Sequence, residues 1–129
     1  MAYISFQPSD YFNTKLYTGN GSTNNITGVG FQPDWVWLKD KGAISNHQLY
    51  DAVRGASKEL VSNSTAAEGS TSGRLSSFDS DGFTLGSGGT VNANGNNFAS
   101  WNWLANGSGS ANTDGSISST VSANTTAGF

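Results

Sequence analysis

Ten consecutive residues, Phe31-Gln32-Pro33-Asp34-Trp35-Val36-Trp37-Leu38-Lys39-Asp40, constrain this chain more than any other stretch. The run is rich in β-branched and aromatic residues, which fit a pleated, half-buried surface. Side chains of a strand alternate between its faces, so Trp35 and Trp37 share one face and Val36 and Leu38 the other. A strand apolar on both faces is expected in the interior of a sheet, covered on each side. Pro33 precedes the run, where its missing N–H does little harm.

The rest of the chain supplies short partners for that strand. Lys15-Leu16-Tyr17-Thr18, Asn25-Ile26-Thr27, His47-Gln48-Leu49-Tyr50-Asp51 and Lys58–Asn63 each read as a strand. Leu75–Phe78, Asp79-Ser80-Asp81-Gly82 and Phe83-Thr84-Leu85 read as strand, turn, strand, with Asp-Gly as the hairpin signal. Gly86–Asn97 is rich in Gly and Asn and predicts a loop. Phe98-Ala99-Ser100-Trp101-Asn102-Trp103-Leu104 alternates polar and apolar residues, which predicts Ala99, Trp101 and Trp103 on the core and Ser100 and Asn102 toward solvent. Ser116–Ser122 predicts a weak edge strand. No segment keeps a helical period. Seven to nine short strands with frequent turns predict an all-β, antiparallel two-sheet β-sandwich, with Trp35 and Trp37 facing Trp101 and Trp103 across the core. The chain divides into an aromatic N-terminal arm (1–13), a sandwich domain (14–105) and a polar C-terminal segment (106–129).

Composition bounds the function. Gly, Ser, Asn and Thr make up about half of the 129 residues, but four Trp, four Tyr and seven Phe exclude a disordered chain. Charged residues are 12% and the net charge is −3. The six basic residues are dispersed, so no stripe exists to neutralise a phosphate backbone, and nucleic acid is not an expected partner. The absence of Cys removes disulfides and thiolate chemistry. Met1–Phe6 carries neither a basic n-region nor a long apolar h-region, so no secretory signal is expected. No apolar run approaches 18 residues, so no membrane span is expected.

The candidate chemistry is sparse. Asp79 and Asp81 resemble the start of a calcium loop, but the twelfth position is Thr90 instead of Glu, so the hairpin turn is the favoured reading and calcium the weak alternative. His47, the single His, lies four residues from Asp51, but no Gly-x-Ser-x-Gly nucleophile accompanies the pair. Asp51 and Glu59 would be the carboxylates of a glycosidase; nothing in their spacing supports it, and Asp51 with Arg54 is better read as a local ion pair. No enzymatic activity and no cofactor is expected. The residues that could touch a ligand or partner are Tyr3, Phe6, Tyr11, Phe12, His47, Tyr50, Asp51 and Arg54. The aromatics Tyr17, Trp35, Trp37, Tyr50, Trp101 and Trp103 could also form a sugar-stacking platform, but paired Trp on two strong strands are read as core.

Four ordered blocks, Gly30–Lys39, His47–Gly55, Leu75–Gly86 and Ala99–Trp103, together resemble an uncharacterised domain common in marine and environmental bacteriophage genomes. The resemblance runs from about Tyr11 to Phe129. It implies a jelly-roll sandwich of the concanavalin or laminin-G kind in a virion protein: a tail or fibre module, or a capsid decoration. Such a protein would be made in the host cytoplasm and located in the virion. Its expected partners are copies of itself and other virion proteins. Host surface glycans are the partners of the alternative reading, a carbohydrate-binding adhesion module.

Overall fold

The structure, a computed structural model, describes residues 7–129. A 3-10 turn at Pro8–Asp10 leads into β1 (Phe12–Thr18), followed by β2 (Asn24–Thr27), β3 (Trp35–Asp40), β4 (Gln48–Asp51), β5 (Lys58–Glu59), β6 (Gly69–Ser70), β7 (Leu75–Asp79), β8 (Gly82–Leu85), the helical turn α1 (Gly89–Asn92), β9 (Asn97–Trp103), β10 (Ser110–Asn112) and β11 (Ser119–Val121). The protein is all-β. One antiparallel sheet has the order β1-β9-β3-β4 and a second the order β2-β8-β7; β5 pairs with β6, and β10 with β11. A bridge between Leu49 and Leu60 ties the β5 segment to the edge at β4.

The two larger sheets enclose the core, the arrangement of a β-sandwich. Val36 and Leu38 of β3 and Tyr50 of β4 meet Ile26 of β2, Leu75 of β7, and Phe83 and Leu85 of β8. Gly82 marks the closest approach within the second sheet. A Cβ there would lie 2.0 Å from the Ile26 carbonyl oxygen, and its φ of 144° lies where L side chains rarely go. The turn of the β7–β8 hairpin is Ser80-Asp81, and Gly82 opens the strand after it.

The interior strand lies where its composition requires, between β9 and β4. Its orientation corrects the expectation from the sequence. Val36, Leu38 and Asp40 point inward and are buried, whereas Trp35 and Trp37 lie on the outer face and are half-buried. Trp101 and Trp103 are not across a core from them. They are neighbours in the same sheet, with Trp35 opposite Trp103 and Trp37 opposite Trp101. On β9 the inward residues are Phe98, Ser100 and Asn102, all fully buried. The small polar pair faces inward with its donors paired there, while Asn102 Oδ1 has no partner. Asn102 Nδ2 donates to the Asn13 carbonyl and to Ser100 Oγ, each at 3.1 Å. Asn13 Nδ2 in turn donates to the Val29 carbonyl at 3.0 Å, holding the loop before β3 beneath β1.

The segment 86–97 is likewise more than a loop. It contains α1, which sends Val91 into the core and Asn92 into a polar hub. Asn92 Oδ1 accepts from the Asn20 N–H and Asn24 Nδ2, while its Nδ2 donates to the Ser22 and Gly86 carbonyls. Nearby, the hydroxyl of the partly buried Tyr17 donates to the Val91 carbonyl at 2.7 Å. Burial, with smaller contributions from Tyr50 and Asp40, pushes that phenol above its usual range.

Two carboxylates clamp loops to the sandwich and give it an acid limit. Asp81 accepts the Gly28 and Gly30 N–H groups at 2.9 and 2.7 Å. Those backbone bonds, with the nearby Lys15, outweigh desolvation and hold its carboxyl below the usual range. At Asp40 burial would raise the pKa, but hydrogen bonds from Asn96 and the Gly42 and Ala43 N–H groups, together with Lys39, lower it. A folded pKa below the unfolded value gives stability that is complete above the unfolded value, near 4, and lost as pH falls through the folded one. Urea midpoints are therefore expected to be level from about pH 7 to pH 5 and to fall below about pH 4. Asp81→Asn is expected to flatten part of that acid limb.

Candidate functional site

The outer face of the first sheet is the principal aromatic surface among the described residues. Strand register arranges it in rows. The first row runs Phe12, Trp103, Trp35, Asp51; the second runs Thr14, Trp101, Trp37, Leu49; Leu16, Ala99 and Lys39 begin a third. Same-face neighbours on paired strands stand within contact distance, and here the rings touch. Trp35 and Trp103 stack at 5.0 Å, Phe12 meets Trp103 at 4.8 Å, and Trp37 and Trp101 meet edge to face at 5.9 Å. Leu16, on the same face, is 69% exposed.

The C-terminal segment covers the first row. Asp34, buried just before β3, accepts the Ala105 and Gly107 N–H groups on Oδ2 at 2.8 and 3.1 Å, which roots the segment beside the sheet. The β10–β11 hairpin follows, and Phe129 stacks on Trp35 at 5.4 Å and Trp103 at 5.8 Å. An open cleft of 430 Å³ lies between this segment and β4. Trp35, Leu49, Leu60, Val121 and Phe129 form its apolar walls, and Asp51 and Arg54 line it with polar groups.

Asp51 and Arg54 are brought together as the sequence suggests. Asp51 accepts the Arg54 N–H at 2.8 Å and pairs with its guanidinium. Glu68 then bridges Arg54 at 3.3 Å and Lys58 at 3.5 Å. These pairs are substantially exposed and contribute little to stability; they fix polar groups at the edge of an aromatic wall. His47, two residues before Leu49, stands beside the second row. Its Nδ1 accepts the Trp37 indole N–H at 2.8 Å, and the rings meet edge to face. His47 is thus tied to Trp37, while Asp51 holds Arg54.

The other sequence candidates fall elsewhere. Tyr50 is in the core with 1% exposure, and its hydroxyl donates to Glu59 Oε2 at 3.1 Å. Asp51 faces the outer cleft and Glu59 the inner side of β4, so the two carboxylates do not flank a common space. Tyr11 and Phe12 line a smaller 280 Å³ pocket with Trp103 and Phe129. Tyr3 and Phe6 lie outside the described residues. Both oxygens of Asp79 accept hydroxyls, from Ser77 and Thr84, and both oxygens of Asp81 accept the backbone N–H groups already described. Among the described residues no three His, Cys, Asp or Glu side chains converge as a metal site.

Sequence reasoning prefers a core for Trp35, Trp37, Trp101 and Trp103 over the sugar-stacking platform, and the structure puts all four on the outer face; it assigns nothing to Phe129, which no local signal marks. No helix among the described residues is long and apolar enough to cross a membrane. Residues 7–129 match the model of a family described as a domain of unknown function, DUF7483. No curated protein and no solved structure matches the chain.

Proposed function

The chain belongs to the DUF7483 family, and we propose that it is a non-enzymatic, surface-exposed module of a bacteriophage virion, with a jelly-roll sandwich of the concanavalin or laminin-G kind, that attaches to host surface glycans. The observation that carries the glycan part is the outward orientation of four Trp residues beside a cleft with Asp51 and Arg54 in its wall. Aromatic rings contribute large apolar contact at fixed geometry, and the C–H face of a sugar ring is a matching partner. Asp51 supplies acceptors and Arg54 donors for the hydroxyls around that ring. The row of Trp37 and Trp101 is free of the Phe129 lid and leads into the cleft through Leu49, which suits an oligosaccharide. The virion part rests on the resemblance of the four sequence blocks and on the weakly charged Ser, Thr, Asn and Gly surface. Many copies on one particle would convert weak single contacts into strong attachment.

A glycan array probed with the multimerised domain tests the first part. Hits that compete with one another in solution are expected, and an array without hits removes it. Peptides of this chain recovered from purified particles by mass spectrometry test the second; their absence from intact particles, with presence in the host lysate, removes that.

A further inference from the structure

Strand β4 serves two sides of the sheet. Leu49 and Asp51 face the outer cleft, while Gln48 and Tyr50 point the other way. On that inner side a second cleft of 430 Å³ opens, lined by polar residues that include Gln48, Glu59, Arg74, Asn46 and Asn63. Its hydrogen bonds leave a one-sided chemistry. Glu59 accepts from the Thr71 hydroxyl and the Tyr50 hydroxyl and pairs with Arg74, so both of its oxygens are taken. Arg74 Nη1 also donates to Gln48 Oε1 at 3.0 Å, which leaves the Gln48 amide hydrogens as its remaining polar groups. The His47 N–H donates to Asn63 Oδ1 at 3.1 Å. Asn63 Nδ2 must then be the donor to Asn46 Oδ1, also at 3.1 Å, which leaves Asn46 Nδ2.

Each acceptor of Glu59, Gln48, Asn63 and Asn46 thus already holds a hydrogen bond, and N–H donors remain: Nε and Nη2 of Arg74, Nε2 of Gln48 and Nδ2 of Asn46; the buried Thr90 hydroxyl on the same wall has no partner and can donate as well. The Arg74 side chain is 22% exposed, so solvent reaches it. Ile44 and Val61 add apolar surface. A set of donors around one guanidinium edge matches a carboxylate, which accepts only and takes a planar fork of N–H groups. The volume and the apolar wall call for a ring beside it.

We propose that this inner cleft binds the carboxylate of a uronic acid residue in an acidic polysaccharide. The site is separate from the outer aromatic face and stands or falls without it.

The test follows side-chain N–H signals of the full chain by NMR during titration with glucuronic acid, glucose, acetate or a glycine dipeptide. Glucuronic acid is expected to shift the Gln48 and Asn46 amides and the Arg74 Nε–H. Glucose, acetate and the dipeptide are expected to bind at least about tenfold more weakly. Asn46→Asp keeps the acceptor for Asn63 and replaces the free donor with a negative charge. It is expected to leave the unfolding midpoint in place and to weaken glucuronic acid at least about tenfold. The Trp101 and Trp103 indole N–H signals are expected to stay unmoved in the same titration, which separates the inner cleft from the outer. Equal binding of glucose would overturn the carboxylate assignment, and equal binding of acetate or the dipeptide the sugar. Unaltered affinity in Asn46→Asp would overturn the site.

Discussion

Glu59→Ala is expected to lower stability by about 3 kcal/mol, the lower end of the cost of breaking a buried ion pair on one side. Glu59 is 8% exposed, and three groups depend on it. The Arg74 guanidinium would lose its counter-charge, the Tyr50 hydroxyl its acceptor inside the core, and Thr71 its tie to the same carboxylate. The lower end applies because solvent reaches part of Arg74 and can rehydrate it. In a domain of this size the loss corresponds to a fall in Tm of roughly 10 °C. Glu59→Gln keeps the shape and one acceptor and is expected to cost less than half as much. Urea denaturation of the two variants checks the order. A loss below about 0.5 kcal/mol in Glu59→Ala would mean that the pair contributes no more than a surface bridge.

Asp34→Ala is expected to release the C-terminal segment while the sandwich stays folded. The side chain does two jobs at one oxygen, accepting the N–H groups of Ala105 and Gly107. Its backbone bonds to Trp103 and Ala52 belong to the sheet and survive the substitution. Two N–H groups without partners at a buried site cost about 2 to 3 kcal/mol, which the chain can recover by letting residues 105–129 swing into water. Hydrogen exchange read by mass spectrometry is the measurement. Exchange at least about tenfold faster is expected in 105–129, with β3 and β9 still protected. Phe129 would leave Trp35 and Trp103, so their emission is expected to shift to the red. Uniformly faster exchange throughout would show that Asp34 supports the whole sandwich instead.

The longer strands were legible from residue type and spacing; the short polar strands β6 and β10, and the faces, were not. Both sides of β3 are apolar, so a period of two places Trp35 with Trp37 and Val36 with Leu38 without saying which pair is inside. On β9 the alternation pointed the wrong way. Ser100 and Asn102 are buried because Asn13 and the loop before β3 meet them, whereas outward Trp103 is half-covered by Phe129 and outward Trp101 by Trp37. Both causes are contacts between residues far apart in sequence. Asn92 was hidden in a Gly- and Asn-rich run, since nothing local distinguishes a buried hub from a loop Asn. The Asp51–Arg54 pair was legible because its members are only three positions apart. The cleft it lines was not, because Val121 and Phe129 complete it from the other end of the chain.

The central claim is that Trp37 and Trp101 form a binding surface and not a core. Titration of Trp37→Ala and Trp101→Ala with a glycan recovered from the array tests it most directly. Each variant is expected to unfold cooperatively with wild-type secondary structure and to bind at least about tenfold more weakly, the loss of about 1.4 kcal/mol of aromatic contact. A variant that fails to fold, or one that folds and binds as tightly as the wild type, would contradict the account.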